Sequence, residues 1–104
     1  MFTVIETPIF ASYVRDYWSD SEREEFAVFI AAHPDAGDVV PGSGGVRKVR
    51  WGAQGRGKRG GVRVIYFNRL ANGEIWLLTI YGKGVAENIP THVLRQLREV
   101  IEHG

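Results

Sequence analysis

The 104-residue chain contains no cysteine. That excludes a disulfide framework, thiol chemistry and a Cys-ligated zinc site. No apolar run approaches the roughly 20 residues needed to span a bilayer. The first ten residues, MFTVIETPIF, lack a basic stretch and carry Glu6, so a secretory signal is not expected. A soluble, cytoplasmic protein is. His33 follows one expected helix and His92 opens another, and neither has a second ligand at metal-binding spacing. No metal and no cofactor are expected.

The most informative shortage is of acid. Residues 39–73 hold no Asp or Glu, yet carry Arg47, Lys48, Arg50, Arg56, Lys58, Arg59, Arg63 and Arg69. Residues 1–38 hold eight acids against Arg15 and Arg23, a net of −6, and residues 74–104 are near neutral at −1. The overall charge of +1 therefore conceals an uncompensated block of +8. Such a block inside a neutral domain is an electrostatic footprint for a polyanion. Hydrophobic content of 44% and charged content of 24% are ordinary globular values, and the length suits one domain over residues 1–104.

Within the block lies GAQGRGKRGG, residues 52–61. It satisfies G-x-G-x-x-G and most of G-x-x-x-x-G-K-[ST]. Both signatures grip phosphate through a helix that starts directly after the glycines. Here the next residues are Val-Arg-Val-Ile-Tyr-Phe, a strand-forming run, and Arg59 stands where the second signature needs Ser or Thr. A nucleotide cradle is excluded. What remains is a glycine-rich basic hairpin loop, whose Arg and Lys side chains suit contacts with a nucleic-acid backbone.

The apolar pattern predicts a strand at Phe2–Ile5 and a helix over about 8–17, capped by Thr7 and burying Ile9, Phe10, Tyr13, Val14 and Tyr17. A second helix is capped by Ser19 with Glu22 or by Ser21 with Glu24, buries Phe26, Phe29 and Ile30, and stops before Pro34. DAGDVVPGSGG reads as a turn-rich connection. Strands follow at Val46–Trp51, Val62–Phe67 and Glu74–Tyr81, the last two joined by a turn at Asn72-Gly73. A final helix from about Pro90 buries Val93, Leu94, Leu97, Val100 and Ile101. The order β-α-α-β-β-β-α predicts an α+β fold with a mainly antiparallel sheet, two N-terminal helices and one C-terminal helix. Strand alternation puts Lys48 and Arg50 on one face, and Arg63 stands alone among apolar neighbours. With Lys83 just past the last strand, these four cations are expected to converge on one sheet surface.

GSGGVRKVRWGAQGRGKRGGVRVIYF followed by LLTIYGK resembles the HigB-type toxins of the RelE/ParE superfamily, found in bacterial type II toxin–antitoxin systems. The likeness is dense over residues 42–83, and the element order agrees over the whole length. It implies a RelE-like fold and a metal-independent endoribonuclease that cuts mRNA in the 30S decoding site, inhibiting translation in the bacterial cytoplasm. It also implies a cognate antitoxin with a helix-turn-helix domain, and contact with DNA only through that antitoxin. By motif position the catalytic set is Arg63 as phosphate-charge stabiliser, Lys48 and Lys83 for charge stabilisation or proton transfer, and Arg50 beside them on the basic strand. Arg47, Arg56, Lys58 and Arg59 are expected to hold RNA, and Trp51 or Tyr81 to stack on a base. Some superfamily members use a C-terminal histidine and tyrosine; here LREVIEHG offers His103 and no tyrosine. Two other readings keep the fold. One is a ParE-like gyrase poison acting by binding, against which the cluster Lys48, Arg50 and Arg63 argues. The other is a catalytically inactive RNA-binding member.

Overall fold

Two hydroxyl side chains set where the N-terminal helices begin. Thr7 accepts a hydrogen bond from the Phe10 N–H (3.1 Å), and Pro8 occupies the first turn of α1 (Pro8–Val14). Of the two capping boxes on offer, Ser19 with Glu22 is the one formed, and it starts α2 (Asp20–Ala32). The computed structural model describes residues 2–52, 61–82 and 91–103. Within them the remaining elements are β1 (Thr3–Glu6), β2 (Asp38–Val39), β3 (Arg47–Trp51), β4 (Val62–Arg69), β5 (Glu74–Gly82) and α3 (Thr91–His103).

The five strands form one sheet in the order β1-β5-β4-β3-β2. Pairing is antiparallel except at β1, which runs parallel to β5. The β4–β5 hairpin turns through Leu70–Asn72, a short 3-10 turn, and closes on Gly73 at φ 69°. Its register slips once: Ile65 opposes Thr79 but Tyr66 opposes Leu77, so Leu78 is an extra residue on β5. Thr7 donates its hydroxyl to the Leu78 carbonyl (2.9 Å), so the cap of α1 also satisfies the bulge.

Each face of the sheet has its own core. On one, Val49, Val62, Val64, Tyr66, Ile75, Leu77 and Ile80 pack with Phe10, Val14, Trp18, Phe26 and Ile30 of the N-terminal helical region. On the other, Ile65, Phe67, Leu78 and Tyr81 pack with Val46 and with Leu94 of α3. A bidentate ion pair from Arg23 in α2 to Glu6 in β1 ties the first layer to the sheet edge. The hydrogen bond to Glu6 holds the Arg23 guanidinium above its ordinary pKa.

Several expectations need correction. The first helix ends at Val14, three residues short of the predicted end. Ile9 (49%), Tyr13 (51%) and Val100 (68%) are exposed rather than core, and Phe29 is only partly buried. The turn-rich stretch after α2 contains a fifth strand, β2, which the sequence pattern did not predict.

Candidate nucleic-acid interface

Alternation along β3 divides its residues between the two faces. Val49 and Trp51 belong to the helix-covered core, and Lys48 and Arg50 point the other way and are exposed. Register then decides what stands beside them. Arg50 is directly opposite Arg63, and Arg63 is directly opposite Tyr81. One step along, Lys48 is opposite Ile65, and Ile65 opposite Thr79. Lys48, Arg50 and Arg63 therefore share one face at the end of the sheet where the β3–β4 loop leaves it.

Two arginines directly opposed across an antiparallel pair repel, and an arrangement of that kind costs stability. Among the described residues no ion pair engages Lys48 or Arg50, so both cations are available to phosphate. Arg63 is partly buried. The neighbouring edge contributes an acid: Asp38 of β2 is opposite Lys48. Asp38, Val40, Pro41, Lys48 and Arg50 line a groove of about 400 Å³.

Two expected contacts fall on the other face, and a third is buried. Arg47 shares the face of Val49, away from Lys48 and Arg50, and its guanidinium donates to the Gly37 carbonyl at 2.7 Å, which clamps the turn before β2. Trp51 packs against Phe29 (ring centroids 4.7 Å apart) and Phe26 (5.3 Å) on the helix side of the sheet. Trp51 is partly buried there, on the face away from Lys48 and Arg50. Tyr81 does share the face of Arg63, but it is 6% exposed within the α3 core cluster, which leaves no open ring for stacking. Arg56, Lys58, Arg59 and Lys83 lie outside the described residues.

The base of the basic loop is nonetheless defined. Gly61 has φ 56°, and a Cβ there would meet the Trp51 carbonyl oxygen at 2.4 Å. Only glycine lets the two ends of the loop approach so closely. The segment after it is β4, so no helix N-terminus stands behind the glycines, in agreement with the exclusion of a nucleotide cradle. No group of three or more His, Asp or Glu side chains able to hold a metal occurs among the described residues.

Sequence reasoning missed Asp38, because its strand is two residues long and sits among turn-forming residues. The signal was present in the charges: Asp38 is the last acid before the basic block. Tyr66 was also missed as a polar hub. Its hydroxyl donates to the Pro34 carbonyl (2.8 Å) and accepts from the Gly37 N–H (2.9 Å), fixing the turn that leads into β2. Burial pushes the Tyr66 pKa up.

No family model matches the chain. By structure it is similar to the E. coli toxin RelE, seen in the free state as a double arginine-to-alanine mutant, with a TM-score of 0.64 at 13% sequence identity. The likeness covers 93% of this chain and 96% of that one. Three helices on a five-stranded, mostly antiparallel sheet are thus the RelE-like α+β fold, and this chain has it.

Proposed function

We propose that this chain is the toxin of a bacterial type II toxin–antitoxin pair, of HigB type, and that it cleaves mRNA on the ribosome without a metal ion. The observation that carries the reading is that strand register puts Lys48, Arg50 and Arg63 on one sheet face, with Lys48 and Arg50 exposed. The shared fold with a protein described as a toxin supports it, as do the G-G-V-R-K-V-R and L-L-T-I-Y-G-K motifs.

In this reading the RNA 2′-hydroxyl attacks the adjacent phosphorus, and the bond to the 5′-oxygen breaks. The products are a 2′,3′-cyclic phosphate and a 5′-hydroxyl. Arg63 and Arg50 stabilise the charge that builds on the phosphorane, the term that preorganised cations serve best. Lys48 and Lys83 serve charge stabilisation and proton transfer. The ribosome supplies the message in a held, single-stranded form, which spares this small interface from ordering it. A cognate antitoxin with a helix-turn-helix domain silences the toxin, and DNA is reached only through that partner. The site of action is the bacterial cytoplasm.

Amino-acid incorporation in a reconstituted translation system tests the reading. Incorporation is expected to stop with the wild type and to continue with Arg63→Ala, whose activity falls by about 100- to 1,000-fold, the usual loss on removing one transition-state donor. Thermal unfolding of the variant checks that the fold persists. Undiminished incorporation with folded wild-type protein overturns the reading, and a supercoiling assay then tests gyrase as the target.

A further inference from the structure

Deprotonating a 2′-hydroxyl takes an acceptor that is itself unprotonated near neutral pH. A guanidinium never serves, and an ammonium serves only after losing its own proton. A carboxylate serves as it stands. The basic block of residues 39–73 contains none, but the fold brings one in from outside it.

Asp38 lies on the edge strand β2, paired so that it is directly opposite Lys48. Residues in direct opposition put their side chains on the same face, with Cβ atoms about 4.5–5.5 Å apart. Asp38, Lys48 and Arg50 line the same groove, and Asp38 is the one carboxylate among its described lining residues. It is exposed, and no ion pair engages it among the described residues.

We propose that Asp38 is the general base of the cleavage reaction, with Lys48 beside it as the general acid; the assignment rests on the mRNA-endonuclease reading above. The proton on the 2′-oxygen passes to the Asp38 carboxylate as that oxygen bonds to phosphorus. The electron pair of the breaking phosphorus–oxygen bond departs with the 5′-oxygen, which takes a proton from Lys48 Nζ. In-line attack places the entering and leaving oxygens on opposite sides of phosphorus, so base and acid have to flank the phosphate. Asp38 and Lys48 project side by side from adjacent strands, so a phosphate seated between their side chains has one on each side. Exchange with water then returns the proton from Asp38 to solvent and reprotonates Lys48.

Single-turnover cleavage of mRNA on programmed ribosomes tests the assignment, using Asp38→Asn and Lys48→Ala. Loss of a general acid or base lowers the rate by about 100- to 10,000-fold, and Asp38→Asn is expected to fall in that range while ribosome binding is retained. A message carrying sulfur in place of the bridging 5′-oxygen at the cut site separates the two roles, because a thiolate leaves without a proton. That substrate is expected to restore cleavage by Lys48→Ala and not by Asp38→Asn. Cleavage by Asp38→Asn at the wild-type rate or faster overturns the proposal, as does its full rescue by the sulfur substrate. A wild type that is inert in the same assay identifies the endonuclease reading as the failure.

Discussion

Tyr66 shows how a single buried side chain serves the site without facing it. Its ring is fully buried in the helix-side core, and its hydroxyl holds the Pro34 carbonyl and the Gly37 N–H. Asn68 Nδ2 shares the Pro34 carbonyl (2.8 Å), and Arg47 holds the Gly37 carbonyl. Together they set the turn from which Asp38 emerges. Tyr66→Phe leaves the Gly37 N–H without its partner, at a cost of about 1–3 kcal/mol. The pH dependence has a definite sign. Burial raises the Tyr66 pKa in the folded state, so its contribution is intact below the ordinary tyrosine pKa of about 10 and is lost as pH climbs beyond it. Urea denaturation is expected to show wild type and Tyr66→Phe converging above about pH 10. A gap that widens there contradicts this account. Arg47 and Trp51 carry a related lesson. The alternation that put Lys48 and Arg50 together also puts Arg47, Val49 and Trp51 on the opposite face. Their structural roles were therefore legible in the sequence, although their motif positions suggested RNA contact.

At the level of elements, the strong local signals were sufficient. The Ser19–Glu22 capping box, the β-branched run of β4 and the apolar spacing of α3 place their elements within a few residues of where they lie. What local pattern could not supply is pairing between distant segments. β1 joins β5 across some seventy residues, and β2 exists only because β3 offers it an edge. The connection between β2 and β3 also binds α3. Gly44 has φ 82°, and a Cβ there would lie 2.5 Å from Arg98 Nε. Arg98 is meanwhile held by Glu102 at 2.8 Å and Glu99 at 3.5 Å. Gly44→Ala thus combines left-handed backbone strain with displacement of Arg98, and is expected to cost about 1–2 kcal/mol from the backbone alone. Chemical denaturation checks this; an unchanged midpoint would show that the turn relaxes freely.

Across the whole molecule, the sheet separates two chemistries. The acid-rich α2 packs on one face, and Lys48, Arg50 and Arg63 lie together on the other. A net charge of +1 therefore understates how strongly one face is charged. On the proposed reading, this face brings a strand-breaking reaction to translated message. Primer extension along an mRNA incubated with purified protein, with and without ribosomes in a reconstituted translation system, tests it most directly. Discrete cuts are expected, and only when the message is being translated. Intact message under translation, or equal cutting of naked RNA, would contradict it.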